Sequence, residues 1–251
     1  MAYEYLFAAL PTLPRQPGAG LKIDAHKIIE MCDDEGGVAA RIARALGMSF
    51  DLRAMERISR GTGPGETAVF EAKQIEERFG LPEWLSSALE DMNVAASERR
   101  GEDAVKIYGF EKIWMAYYAE LWRIACETGA VFLQRWIPWD WGLRRAVAAH
   151  RASTMKAEIE DAQWQAGADE YLEWAYDYRP AVDALISIEE RGFDAWRRRD
   201  GLLASMRLAR ARELAPEYTF TLDEFASYLV QFFILKEVEY IGENIQHKAH
   251  R

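Results

Sequence analysis

The sequence has 251 residues, is half hydrophobic by count, carries 29% charged side chains and contains only eight prolines. That composition supports a packed core of one large or two small domains and excludes a disordered or collagen-like chain. A net charge of −10 argues against general nucleic-acid binding, because a phosphate backbone repels such a surface unless basic residues gather on one face.

Nine Trp, eleven Tyr and eleven Phe make a heavy aromatic load. Cys32 and Cys126 have no CxxC spacing, and His26, His150, His247 and His250 form neither HxxxH nor HExxH. A disulfide framework, a zinc finger and a zincin site are therefore unsupported. The opening MAYEYLFAAL has no basic n-region and contains Glu4, and no apolar run approaches the roughly 18 residues of a membrane span. The expectation is a soluble, cytoplasmic protein without a membrane span of its own.

Strand signals are nearly absent and helical spacing recurs, so the expected fold class is all-α, a multi-helix bundle of stacked helical hairpins. Two lobes are expected, residues 1–100 and residues 101–251 with the long helices, or one continuous domain. Residues 3–10 read as a short buried element, followed by an irregular stretch rich in proline and glycine. Asp24 is placed to N-cap a helix carrying Ile28, Ile29 and Cys32, which Gly36-Gly37 ends. Two short amphipathic stretches follow, 38–46 and 50–58, with Ser49 as a cap for the second. RGTGPG at 60–65 reads as a loop, and 66–79 and 82–96 as helices, the latter with Pro82 in its first turn.

From 102 to 128 the pattern is long and clear: Phe110, Ile113, Trp114, Tyr117, Leu121 and Ile124 share one helix face, and Gly129 stops it. An apolar link through Trp136 leads to an expected turn at 138–142 (PWDWG), and a second long helix begins at Leu143 and runs through Val147 and Ile159. Pro180 marks a boundary at Arg179, a helical hairpin continues to Leu214, and Thr221 with Glu224 has capping-box spacing before a last helix and a polar tail. Charge is uneven: residues 151–190 hold three basic and ten acidic side chains, and 191–215 hold seven basic and three acidic. The simplest reading is solvated ion pairing between adjacent helices; the sharper one is that a block docks a partner of opposite charge.

Few constellations suggest chemistry. Cys32-Asp33-Asp34-Glu35 with Glu158, Glu160 and Asp161 is similar to the acidic clusters that hold magnesium in helical prenyl-transfer enzymes, but it lacks the gap that aligns two carboxylates on one turn. A di-iron bundle needs Glu-x-x-His, and the residues three before the histidines are Ile23, Val147, Asn244 and His247. Gly61 to Gly65 lacks the Gly-Lys-Ser/Thr ending of a phosphate loop. Cys126 reads as a small buried hydrophobe, and Cys32 has no histidine beside it to support a nucleophile. Trp114, Tyr117, Trp136, Trp139 and Trp141 read as core, with Trp139 or Trp141 as a candidate exposed anchor. Arg144, Arg145 and the run Arg197, Arg198 and Arg199 are the remaining candidate partner contacts.

Three segments carry a resemblance. They are Tyr3-Glu4-Tyr5-Leu6-Phe7-Ala8-Ala9-Leu10-Pro11-Thr12-Leu13, then Trp114, Tyr117-Tyr118, Phe132-Leu133, Trp136, Leu143-Arg144-Arg145 and Arg151-Ala152, and finally Phe220-Thr221-Leu222-Asp223, Tyr228-Leu229 and Ile234-Leu235. In this order they resemble an uncharacterised bacterial family encoded among V-type ATPase genes. That family looks like a shortened relative of the central-stalk subunit called C in A-type and bacterial V-type enzymes and d in eukaryotic ones. Where the family pattern has Leu-Arg-Asn, this chain has Leu143-Arg144-Arg145, and it is shorter than the three-lobed subunit. The resemblance implies an all-helical, non-catalytic piece without cofactor or metal. Its partners would be the central axle subunits and the membrane rotor ring, at the inner face of the cell membrane, with no nucleic acid. The alternatives are a metal-dependent helical enzyme using Asp33, Asp34, Glu158 and Asp161, and a helical assembly factor for another complex.

Overall fold

The computed structural model describes residues 4–15, 20–21, 23–59, 61, 63–98, 102–154, 178–188 and 193–249. Among them are ten helices and no strand: α1 (Glu4–Ala9), α2 (Ala25–Glu35), α3 (Gly37–Ser59), α4 (Ala72–Glu77), α5 (Glu83–Glu98), α6 (Glu102–Thr128), α7 (Val131–Thr154), α8 (Arg179–Ile186), α9 (Phe193–Glu213) and α10 (Leu222–Ala249). None of the described helices is long and apolar enough to cross a membrane.

Local chemistry accounts for several boundaries. The Asp24 carboxylate accepts the Lys27 amide at 2.6 Å and starts α2, and Gly36 ends it with φ of 74°. Gln74 reaches back to the Glu71 amide at 2.9 Å, closing a capping box at the head of α4. At α10 the Thr221 hydroxyl accepts the Glu224 amide at 3.1 Å, while the Glu224 carboxylate reaches one residue further back, to the Phe220 amide.

Sequential helices pack on one another, α2 on α3, α5 on α6, α6 on α7 and α9 on α10, and α3 packs on α6. The last helix, α10, lies against both α3 and α7 and closes the bundle. One core cluster runs from Leu6 to Leu235, centred on fully buried Trp114, Ile113, Leu121, Leu133, Phe225, Leu229 and Phe232. Each large side chain so buried contributes about 1.5–3 kcal/mol. The division expected near residue 100 falls between α5 and α6, which pack on each other, and the core holds residues from both sides of it. A satellite cluster of Leu143, Val147 and Leu185 sits under α8, with Trp139 packed against both clusters.

Three expected boundaries differ. Residues 38–58 form one helix, not two; the Ser49 hydroxyl donates back to the Leu46 carbonyl at 2.8 Å instead of capping. Gly47 within it is a contact point, since a Cβ there would stand 2.9 Å from Ile29 and 3.3 Å from Ala68. Only Ala72–Glu77 of the expected 66–79 helix forms, because the backbone of 68–69 is hydrogen-bonded to the Asp51 side chain. The expected turn at 138–142 is continuous α7, with Pro138 inside it. An interior proline costs about 3 kcal/mol in an isolated helix, and the buried ring of Trp136, Ile137, Asp140, Trp141 and Leu143 on both sides of it outweighs that cost. The polar tail is helical to Ala249.

Gly142 leaves a notch in α7. The Tyr178 hydroxyl enters it and donates to the Trp139 carbonyl at 2.9 Å; a Cβ on Gly142 would lie 2.2 Å from that hydroxyl oxygen. Gly142→Ala is therefore expected to expel Tyr178, loosen α8 and cost about 1–3 kcal/mol. Denaturant unfolding checks this, and Tyr178→Phe, which loses only the hydrogen bond, should cost about 1 kcal/mol.

Candidate functional site: an ionic network buried between helices

Asp140 projects from α7 between Trp139 and Trp141 and is 4% exposed. A carboxylate at such a position is sustained only if donors come to it. The Arg207 guanidinium from α9 does so in a forked arrangement, Nε to Oδ1 at 2.6 Å and Nη2 to Oδ2 at 3.1 Å. The Tyr118 hydroxyl from α6 adds a third bond at 2.7 Å. Arg207 turns its other nitrogen to Glu237 of α10 at 2.8 Å, and Glu237 meets Arg53 of α3 at 2.5 Å. Five helices are thereby tied through one chain of alternating charges.

Electrostatics within the network are one-sided. Burial alone would pull the Arg207 pKa down, but Asp140 and Glu237 outweigh it and hold the pKa well above its ordinary value. Burial, reinforced by the Asp140 charge, pushes the Tyr118 phenol well up, so it acts as a donor. The forked Arg207–Asp140 contact makes the network directional.

A second cluster joins α3, α6 and α7. The Trp114 indole donates to Glu56 at 2.6 Å, and Arg144 lies over the Trp114 ring with its guanidinium carbon 3.7 Å from the centroid, near Glu56 at 3.5 Å and Glu111 at 3.9 Å.

The sequence-derived partner contacts distribute as follows. Trp141 is 8% exposed and packs on Tyr118 with ring centroids 4.9 Å apart, so it belongs to the core, as do Trp114, Tyr117 and Trp136. Trp139 is half-buried, between Trp136 at 5.5 Å and Tyr178 at 6.4 Å. Arg144 and Arg145 are half-buried, the former committed to Trp114. Arg199 donates to the Ile188 carbonyl at 2.6 Å and Arg198 is exposed. The Arg197 side chain lies outside the described residues, as do Glu158, Glu160 and Asp161 and most of the acidic block. Asp33 is gripped by Arg44 through both oxygens at 2.7 and 2.6 Å, and no metal-capable group of carboxylates, cysteines or histidines gathers among the described residues. Burial pushes the Cys32 thiol up to about 12, whereas Cys126, expected to be buried, is exposed.

Sequence reasoning missed Asp140, Arg207 and a second buried acid, Asp51. The available signal was an acid set between large apolar residues on a helix: Trp139-Asp140-Trp141 and Phe50-Asp51-Leu52. Asp51 is fully buried and accepts the Ala68 amide at 2.9 Å and the Val69 amide at 3.1 Å. Around it Arg57 donates to the Pro64 carbonyl at 2.8 Å, His26 Nδ1 lies 3.1 Å from the Ala68 carbonyl, and Glu66 accepts the Ala25 amide at 2.9 Å. Residues 63–69 are thus strapped to α2 and α3 by side chains. A surface cleft of about 230 Å³ opens between α3, α6 and the start of α5, floored by Met48, Tyr117, Leu121 and Ile124. The arginines on its rim are already paired, Arg41 with Glu127, Arg44 with Asp33 and Arg123 with Glu120.

In comparison with known proteins, no family model, no curated protein and no solved structure matches this chain.

Removing one partner of a buried charge network strands the others, so Asp140→Ala and Arg207→Ala are each expected to cost about 3–5 kcal/mol. The double variant should cost clearly less than their sum; urea unfolding of all four proteins checks this. Burial raises the Asp51 carboxyl to about 7 against the amide donors that favour its charged form. The folded state then binds that proton more tightly than the unfolded chain. Its stabilising contribution is complete below about pH 4 and is lost as pH rises through about 7, a change tending to about 4 kcal/mol. Denaturation across that range should show the wild type losing stability relative to Asp51→Asn as pH rises.

Proposed function

We propose that this chain is a non-catalytic, helical coupling component of the central stalk of a bacterial V/A-type ATPase, linking the central axle to the membrane rotor ring. The observation that carries the reading is where the three resembling segments meet. Phe7 of the opening segment stands edge-on to Phe220 of the closing one at 5.8 Å, and Tyr228 donates to the Pro11 carbonyl at 2.7 Å. Asp223 of the closing segment accepts the Phe132 amide of the middle one at 2.8 Å. Residues far apart in the sequence form one packed unit, which favours reading their order as a shared architecture over a chance scatter of aromatics.

The ionic network supports the same reading. A body that passes torque must resist shear between helices, and directional charge pairs across α3, α7, α9 and α10, joined by the Tyr118 hydroxyl of α6, oppose sliding in a way that apolar packing does not. Mixed with purified axle subunits and solubilised rotor ring, the chain is expected to co-elute with them on size exclusion and to hydrolyse no ATP alone. Elution separate from both overturns the proposal.

A further inference from the structure

We propose that residues 63–69 are a pH-operated strap, closed over α2 and α3 while Asp51 is protonated and released when that carboxyl ionises. Among the described residues the segment makes no backbone–backbone hydrogen bond to either helix, so side chains hold it. Asp51 of α3 accepts the Ala68 and Val69 amides at 2.9 and 3.1 Å, and the His26 ring of α2 bonds the Ala68 carbonyl at 3.1 Å. Residue 68 is thus held at both ends by titratable groups. Arg57 donates to the Pro64 carbonyl at 2.8 Å, and Glu66 accepts the Ala25 amide at 2.9 Å. Closed, the strap brings Ala68 and Val69 onto Gly47, beside Ile29.

Asp51 is the latch because it is buried without a counter-ion. Asp140 faces Arg207, whereas no lysine or arginine pairs with Asp51 among the described residues, and its exposure is 0%. The charged groups on the surrounding elements have other partners. On α3, Arg57 bonds the strap carbonyls, Arg53 meets Glu237 and Glu56 takes the Trp114 indole. Lys236 of α10 pairs with Glu239 at 2.8 Å and lies 3.9 Å from Glu66 of the strap. His26 of α2 lies 3.5 Å from Glu30, Lys73 and Glu77 of α4 pair in solvent, and Glu111 of α6 lies 3.9 Å from Arg144.

Burial and the amides pull in opposite directions. The amides of residues 68–70, and His26 more weakly, favour the charged carboxylate, but burial outweighs them and raises the carboxyl to about 7. Once the strap lifts, water reaches the group, and an exposed aspartate titrates at about 4. The closed strap therefore binds the Asp51 proton more tightly than the open one. Below about pH 4 both forms are protonated and closure is strongest; as pH rises through about 7 that advantage is lost and opening is favoured. Between pH 5 and pH 8 the equilibrium constant for opening rises by about 80-fold. Opening releases the head of α2 from Glu66 and uncovers the apolar contact at Gly47. None of this depends on what the chain couples.

The test is amide hydrogen exchange followed by NMR from pH 5 to pH 8, corrected for the intrinsic rise of exchange with pH. Protection of the Ala68 and Val69 amides is expected to fall by about 80-fold over that range. It should be insensitive to low urea, the mark of a local opening, while amides of α6 around Leu121 stay better protected. Asp51→Asn keeps the shape without the titration and should hold protection constant across the range. Arg57→Ala removes the Pro64 tether and should lower protection by about tenfold at every pH, with the wild-type slope. Carbon-13 NMR of the wild-type Asp51 carboxyl reads its titration without any variant. A midpoint at the ordinary value of about 4, strap protection that does not change with pH, strap amides that exchange together with α6 at the same urea dependence, or the wild-type slope persisting in Asp51→Asn would each overturn the proposal.

Discussion

A charge taken out of water has to be met inside the protein, and Asp140 places that demand at the centre of this fold. Its position between two tryptophans on α7 leaves it 4% exposed, where an unpaired carboxylate would cost several kcal/mol. Two donors from two other helices answer it, Arg207 and Tyr118. Arg207 brings a second demand, answered by Glu237, and Glu237 a third, answered by Arg53. The relative placement of α3, α6, α7, α9 and α10 follows from these requirements as much as from apolar packing. An apolar core tolerates small slips of one helix along another, whereas a forked guanidinium–carboxylate contact does not. The network therefore sets register.

Asp51 repeats the principle on a smaller scale with backbone amides as donors. The segment 63–69 has little apolar content of its own to hold it, and Asp51, Arg57 and His26 supply the contacts that a helix would have made internally. This explains why helical periodicity failed there. Once the Ala68 and Val69 amides are committed to a carboxylate on α3, they are unavailable to a helix beginning at residue 66.

Much of the architecture was legible in the sequence because it is locally encoded. The bounds of α6, the Asp24 and Thr221 caps and the proline at the head of α8 all follow from residues within one or two turns. What was illegible depends on partners far away. Pro138 reads as a turn until the buried side chains on both sides of it are counted, and Ser49 reads as a cap until Gly47 is seen to admit the side chains of Ile29, Ala68 and Val69. Asp140 and Asp51 go unmarked in the sequence for the same reason, since Arg207 lies 67 positions from Asp140 and the Ala68 amide 17 positions from Asp51. The core reading of the aromatic load holds for Trp114, Tyr117 and Trp136, whereas Trp141, offered also as an exposed anchor, is buried. Nothing in their spacing separates them from the exposed Tyr5, Tyr218 and Phe220, whose setting depends on the loop backbone and the helix cap.

The position of α10 bears on how the chain is made. It packs on α3 and α7, its Glu239 accepts the Leu21 amide, 218 positions away, and its Tyr228 reaches Pro11, 217 positions away. A nascent chain that has emerged only through α9 carries apolar faces on α3 and α7 with nothing to cover them, and an Arg207 without Glu237. Hairpins such as α2–α3 and α5–α6 can form as they leave the ribosome, because their contacts are local. The core closes only when α10 arrives, and until then its uncovered apolar faces are open to aggregation.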